Sequence, residues 1–347
     1  MSRDEQAPVR GEDRGCPGTG ALAVAYPNMA LVKYWGKRDE ELVLPVTGSL
    51  SMTLDIFPTT TRVTLRPRAA TDSVRLNGRR AEAGARVRVE RFLDLVRDLA
   101  GRSERARVIT ENTVPTGAGL ASSASGFAAL AAAASAAYGL RLDRRTLSRL
   151  ARRGSGSACR SIFGGFVLWH AGTGFGAVGD ESCYAEPLRS AIDPAMVVAI
   201  VDAGPKALPS RTAMRQTIAT SPLYRSWARA NSAALEQIQA ALCAGDLTEM
   251  GAIAEQNALG LHATMLAARP SIRYVAPRSL SILDRVDRLR AEGIPAYATI
   301  DAGPNVAVLC SRQDSDRVVA ALSDVDGVAA LRVAHRGPGV TVSGPDR

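Results

Sequence analysis

Short runs in which apolar and polar residues alternate dominate the first third of the chain, and they predict strands. Ala21 to Tyr26 and Leu31 to Tyr34 read as strands on either side of a polar break at Pro27-Asn28. Ser49 to Ile56, the Thr-rich segment Thr59 to Leu65, and Val74 to Asn77 before Gly78 continue the pattern. The period then changes. Val89, Phe92, Leu93, Val96 and Leu99 recur at three- and four-residue spacings, predicting an amphipathic helix over Val87 to Ala100 that stops at Gly101. After it come a strand at Ala106 to Thr110, a Gly/Ser loop at Pro115 to Gly126 and an alanine-dense helix from Phe127 to Tyr138, whose small side chains suit close packing on a sheet. A helix from Thr146 to Arg152 and a strand from Gly164 to His170 complete the first half.

The second half opens near Met196 with a strand at Val197 to Val201. Helices are predicted over Thr212 to Thr220, Leu223 to Ala244, Leu247 to Ala267 and Ser279 to Glu292. Strand Ala296 to Ile300, strand Val306 to Cys310, helix Ser315 to Leu322 and strand Ala329 to Ala334 follow. With the extra helices set aside, the order is β-α-β-β-α-β, the split βαβ pattern of ferredoxin-like domains. The pattern places a domain boundary at about residue 195, giving a loose tail over 1–19, an N-terminal mixed αβ domain over 20–195 and a C-terminal domain over 196–347.

Composition narrows the class. The chain has 347 residues with 46% hydrophobic content, enough to bury a large core in two ordinary domains. No apolar run approaches the roughly 20 residues that span a bilayer, so a soluble cytoplasmic protein is expected. Cys16, Cys159, Cys183, Cys243 and Cys310 show no paired spacing, and His170, His262 and His335 are far apart, so neither a disulfide framework nor a metal site is indicated. The net charge is +9, but the arginines are spread along the chain and aromatics total 5%, which argues against a nucleic-acid platform.

One compositional bias bears on chemistry. Of 43 basic residues only Lys33, Lys37 and Lys206 are lysine. An arginine-rich chain that keeps lysine at two positions four apart points to a need for a compact, flexible ammonium, and phosphate is the usual partner of such a group. The loop from Pro115 to Gly126, between a strand and a helix, combines glycines with Ser122, Ser123 and Ser125. It fits either a phosphate cradle at a helix N-terminus or a small-residue turn with N-cap serines, and it matches neither a Walker loop nor a dinucleotide fingerprint. The run Arg152 to Gly165 offers Ser155, Ser157 and the fork of Arg160 to an anion, or forms a solvated turn. Asp301, followed by Gly303-Pro304, either caps a turn or projects a carboxylate into a cleft.

Taken together, Asn28 through Asp39, Pro115 to Gly126, Gly154 to Gly165 and Ile300 to Asn305, with Thr220-Ser221-Pro222-Leu223, resemble the GHMP kinase superfamily and within it the diphosphomevalonate decarboxylase family. The resemblance implies an α+β, two-domain GHMP kinase fold whose C-terminal part is the ferredoxin-like unit with extra helices. It also implies ATP-dependent decarboxylation of (R)-5-diphosphomevalonate to isopentenyl diphosphate, with ATP and Mg²⁺ as cofactors, in a homodimer that binds neither nucleic acid nor membrane. Asp301 would activate the tertiary hydroxyl, Arg160, supported by Asn28, would hold the substrate carboxylate, and Lys33, also catalytic, would flank the diphosphate and transferred phosphate. Tyr34, Trp35, Gly36, Lys37, Arg88, Ser155, Gly156, Ser157, Ala158, Cys159, Ser210 and Arg211 would line the diphosphate and transferred phosphate. Pro115, Gly117, Gly119, Leu120, Ala121, Ser122, Ser123 and Ser125 would bind the nucleotide, with Ser122 and Ser123 near the metal. Thr47-Gly48 stands where the family commonly has Asn-Ser, and Gly117 where it has alanine. The alternatives are a mevalonate 5-phosphate decarboxylase and a mevalonate 3-kinase-like small-molecule kinase.

Overall fold

The structure, a computed structural model, describes residues 20–113, 122–201 and 208–344. In its first half the strands are β1 (Gly20–Ala25), β2 (Asn28–Val32), β3 (Lys37–Asp39), β4 (Leu44–Pro45), β5 (Ser49–Thr53), β6 (Thr59–Arg66), β7 (Ser73–Leu76) and β8 (Arg79–Arg80). Helix α1 (Ala83–Ala100), β9 (Arg105–Asn112), α2 (Ser122–Ala137), α3 (Arg144–Gly154), a 3₁₀ helix (Gly156–Ile162), β10 (Phe166–Trp169), α4 (Gly176–Ser182) and β11 (Ala185–Leu188) follow. The second half contains β12 (Pro194–Ile200), α5 (Ser210–Thr220), α6 (Tyr224–Ala244), α7 (Leu247–Leu266), α8 (Pro277–Ala291), β13 (Ala296–Ile300), β14 (Val306–Ser311), α9 (Ser315–Ser323), β15 (Ala330–Ala334) and β16 (Thr341–Ser343). No helix among the described residues is long and apolar enough to cross a membrane.

Burial follows the sequence pattern. In β1 and β6 buried residues alternate with partly exposed ones, because one face meets the core and the other meets solvent. β2, β5, β12 and β13 are buried along their whole length, being covered on both faces. The first half forms a six-stranded sheet, β16-β1-β6-β9-β7-β8, and a four-stranded sheet, β11-β10-β5-β2. Alanine-rich α2 lies against β1, β6, α3 and the 3₁₀ helix, and its small side chains let all four approach. The second half has the order β13-β14-β12-β15, all antiparallel, with α8 and α9 against it, which is the predicted split βαβ arrangement.

One apolar core joins the halves. Met29, Leu31, Leu50 and Met52 pack with Met196, Val198, Ile238, Leu242, Met250 and Leu309, so β2 runs between the N-terminal sheet and helices α6 and α7. This places the residues just after β2 at the junction of the two halves.

Several local expectations change. Helix α2 begins at Ser122 rather than Phe127, so Gly126 lies inside the helix. The Gly/Ser run from Arg152 is no solvated turn: it finishes α3 and forms the 3₁₀ helix with Ala158, Cys159, Arg160 and Ser161 buried. Asn28 does not break a strand but starts one, because its amide is satisfied by the Ser157 carbonyl at 3.1 Å and the Ser161 hydroxyl at 2.8 Å. The last strand, β16, leaves the ferredoxin-like unit and pairs antiparallel with β1.

Candidate active site

Lys33 is the centre of the junction. Its backbone N–H donates to Asn257 Oδ1 of α7 at 2.8 Å, and its ammonium donates to Ala30 O at 2.8 Å and to Asp301 Oδ1 at 2.6 Å. Asp301 follows β13, so the ion pair ties the two halves together. The lysine side chain is 2% exposed and that of Asp301 22%, which leaves the carboxylate partly accessible. Burial pulls the Lys33 ammonium below its ordinary pKa of 10.5; Asp301 opposes that shift, while Arg160 adds to it.

Arg160 approaches from the 3₁₀ helix. Its Nε donates to Asn28 Oδ1 at 3.1 Å and its Nη1 to Ser49 Oγ at 2.5 Å, with the guanidinium 5.8 Å from the Trp169 ring centroid. Asn28 therefore holds the fork from β2 and the 3₁₀ helix at once. Asp301 and Tyr34 both act on the charge of Arg160, which puts these three groups in one electrostatic field. Tyr34 meets Trp169 edge-on at 4.7 Å, and burial drives its phenol far above the ordinary range. A Cβ on Gly156 would sit 2.8 Å from the Tyr34 ring, so only glycine permits this approach.

The rest of the KYWGK segment divides its work. Lys37 Nζ donates to Glu40 Oε2 at 2.7 Å. Gly36 has φ of +108°, and a Cβ there would lie 2.1 Å from the Tyr224 hydroxyl, which donates to Trp35 O at 3.0 Å. Trp35 is enclosed with Tyr224, Trp227, Leu261, Met265 and Tyr274, a packing environment within the second half. Ala158 and Cys159 are fully buried, and the Cys159 thiol donates to Gly156 O at 3.0 Å while burial raises its pKa.

Arg211 Nη2 donates to Gly154 O at 2.9 Å, which draws α5 against the end of α3. Arg88, 5.1 Å from the Phe127 ring centroid, feels the charge of Arg211 and so faces the same region. Ser210 opens α5 and bonds Tyr274, whose hydroxyl donates to Leu208 O at 2.8 Å. Ser123 and Ser155 hydroxyls are 3.2 Å apart, which joins the first turn of α2 to the entry of the 3₁₀ helix. Ser157 contributes its carbonyl to Asn28. Ser125 is turned inward, its hydroxyl 2.7 Å from Thr59 Oγ1, so it packs the helix on β6 instead of facing a nucleotide. Pro115, Gly117, Gly119, Leu120, Ala121 and Lys206 lie outside the described residues.

Four residues of this arrangement went unread in the sequence. Asn257 and His262, both on α7, support the two partners of the ion pair: His262 Nε2 is 3.4 Å from Ile300 O, next to Asp301. Burial, reinforced by Lys33, lowers the His262 pKa to about 4 and keeps the ring neutral. Ser49 and Glu40 complete the set. Glu40 adjoins the lysine motif, the one local signal that marked it.

The comparisons agree in both halves. Residues 25–185 match the diphosphomevalonate decarboxylase-like N-terminal domain, and residues 196–332 match the mevalonate 5-diphosphate decarboxylase C-terminal domain. A chain designated MDDEF, solved in complex with MVAPP, AMPPCP and magnesium, is 42% identical with a TM-score of 0.89, covering 94% of this chain and 99% of that one. The mevalonate diphosphate decarboxylase from Enterococcus faecalis, described in a study of mevalonate diphosphate-mediated ATP binding, is 42% identical with a TM-score of 0.88 and the same coverage. Diphosphomevalonate decarboxylase from Homo sapiens is 36% identical over 316 residues, 84% of this chain and 77% of that protein. With both domains matched and relatives above 30% identity along most of its length, the chain belongs to the diphosphomevalonate decarboxylase family.

Proposed function

We propose that this chain catalyses the ATP-dependent decarboxylation of (R)-5-diphosphomevalonate to isopentenyl diphosphate, releasing ADP, phosphate and carbon dioxide. Its family membership supports the reaction, and the single observation that carries it at the level of residues is the 2.6 Å Lys33–Asp301 pair beside the Asn28-held fork of Arg160. A tertiary alcohol is a poor nucleophile and needs a carboxylate at hand. With Asp301 Oδ1 engaged by Lys33, Oδ2 takes the hydroxyl proton as the phosphoryl group reaches the 3-oxygen. The buried ammonium fixes the position of the Asp301 carboxylate for that step. Departure of the new phosphate leaves positive character at C3, and the electrons of the C–C bond to the carboxylate form the double bond as carbon dioxide leaves. Arg160 holds that carboxylate in line until the bond breaks.

Tyr34, Lys37, Ser155, Ser157, Ser210, Arg211 and Arg88 bind the diphosphate end in this reading, and the 115–123 segment binds ATP. No group of three His, Cys, Asp or Glu side chains among the described residues is arranged to hold a metal ion. Magnesium is a hard cation that keeps waters and favours phosphate oxygens, so the hydroxyls of Ser122 and Ser123 suit an ion that arrives with the nucleotide. When bound it neutralises charge on the transferred phosphoryl group. The reading extends to a cytoplasmic homodimer, an inference from family resemblance alone.

Incubation of the purified protein with diphosphomevalonate and Mg-ATP should release carbon dioxide, ADP and phosphate in equal amounts, with product mass matching isopentenyl diphosphate. A product that keeps both the carboxylate and a third phosphate would make it a kinase. Turnover confined to the monophosphate would overturn the substrate assignment.

A further inference from the structure

The turn after β3 holds an arrangement that the reaction does not require. Lys37 and Glu40 form an ion pair at 2.7 Å in which the lysine side chain is 5% exposed and the glutamate 52%. Arg215, one turn beyond Arg211 on α5, reaches the other carboxylate oxygen with Nε at 3.7 Å. Burial lowers the Lys37 pKa and Glu40 opposes that shift, while Arg211 and Arg215 add smaller lowering effects, so three cations crowd this region and Glu40 is the carboxylate paired with two of them.

The neighbouring side chains have different tasks. Asp39 Oδ1 accepts from the Leu42 N–H at 2.8 Å, and Arg38 donates to the carbonyls of Gly174, at 3.1 Å, and Pro45. These bonds fix the frame of the turn. Glu40 contributes to the ion pairs instead, and its exposure leaves it room to swing into solvent without disturbing that frame.

We propose that Glu40 is a displaceable internal counter-anion of the diphosphate subsite: it holds Lys37 in place while the site is empty and gives way to the substrate diphosphate. The proposal rests on the reading that Lys37 and Arg211 bind that group. A buried ammonium without an anion is costly, which is why the empty site needs a carboxylate. The same carboxylate occupies the ligand's partners, so apparent affinity is reduced by the fraction of time Lys37 is engaged. A half-exposed pair is worth up to about 1 kcal/mol, which converts to about fivefold in affinity. A residue that only braced the turn would give no such gain when neutralised.

The test is titration calorimetry of inorganic pyrophosphate into the full-length protein, without metal and at fixed low ionic strength. Glu40→Gln and Glu40→Ala should each bind pyrophosphate about fivefold more tightly than the unaltered chain, with unchanged far-ultraviolet circular dichroism. Glu41→Gln removes the same charge from the adjacent exposed position and should change affinity less than twofold. Equal tightening by Glu41→Gln would mark a general field effect and overturn displacement, as would unchanged or weaker binding in both Glu40 variants. Lys37→Ala separates the two levels of the argument. If it loses at least tenfold in affinity while the Glu40 variants gain nothing, the displacement role alone fails; if it binds pyrophosphate normally, the subsite reading fails and takes this proposal with it.

Discussion

Lys33 and Lys37 are four residues apart and differ in almost everything that surrounds them. Lys33 is committed at both ends, with its backbone N–H on Asn257 and its ammonium on Ala30 and on an aspartate from the other half of the molecule. Lys37 is paired with a glutamate from its own turn that is half exposed. The first pair links residues 268 positions apart and has a carboxylate only 22% exposed; the second is local, with a carboxylate 52% exposed. A cation fixed by distant partners suits a fixed electrostatic task, such as positioning a carboxylate. A cation whose partner can leave suits binding. Under the proposed reaction, the contrast assigns chemistry to Lys33 and recognition to Lys37, a division that the variants below test.

Asp301→Asn cuts deepest into that contrast. The amide keeps the shape of the side chain but cannot accept the hydroxyl proton, so kcat should fall about 10³-fold while ATP still binds. Lys33 is then left buried beside a neutral partner, and urea denaturation should show a loss of about 3 kcal/mol. Near-normal turnover would remove the base role, and unchanged stability would show that the pair does not hold the junction.

Parts of this arrangement were legible in the chain, and others were not. Asn28, Lys33, Arg160 and Asp301 stand in short segments that carry the family resemblance; read locally, Asn28 looks like a strand break, and Arg160 and Asp301 fit turns as well as a site. Asn257 and His262 carry no such mark. They sit in a helix whose other residues pack normally, and they meet residues 224 and 38 positions away, contacts that only the tertiary fold creates. The 3₁₀ helix was hidden for another reason. Its Gly and Ser residues read locally as a turn, and burial under α2 and α3 overrides that preference. Strand β16 is three residues long and exposed, so the alternation that reveals β1 and β6 has no room to appear. The ferredoxin-like unit was plain because its elements are long and in simple order.

His262 offers a second, smaller way to probe the Lys33 side. Its pKa is lowered from 6.5 to about 4 by burial and by Lys33. As the pH falls below about 6.5 the unfolded chain takes up a proton on this residue, but the native chain resists until about pH 4. Stability is therefore lost progressively across that window and the loss levels off below it. The full effect is about 3 kcal/mol. His262→Gln keeps a donor for Ile300 O without the titration. Urea denaturation at a series of pH values should show the unaltered chain losing ground to the variant between pH 6.5 and 4. Parallel curves would mean that the ring is not held neutral in the junction.

Lys37→Gln should have the mildest effect and the most different character. If Lys37 serves recognition, its loss removes one charge-assisted contact with the diphosphate, about 1.4 kcal/mol or tenfold in KM. kcat should fall much less, because the Lys33–Asp301 and Arg160–Asn28 bonds are untouched. Lys33→Gln should do the reverse, with its main loss in kcat. Steady-state kinetics on the two variants side by side decides the matter. A Lys37 variant that loses kcat as steeply as a Lys33 variant would place both lysines at the reacting atoms, and the division between a fixed and an exchangeable cation would fail. A KM unchanged in Lys37→Gln would break it from the other side, since the exposed Glu40 would then guard a lysine the substrate never uses.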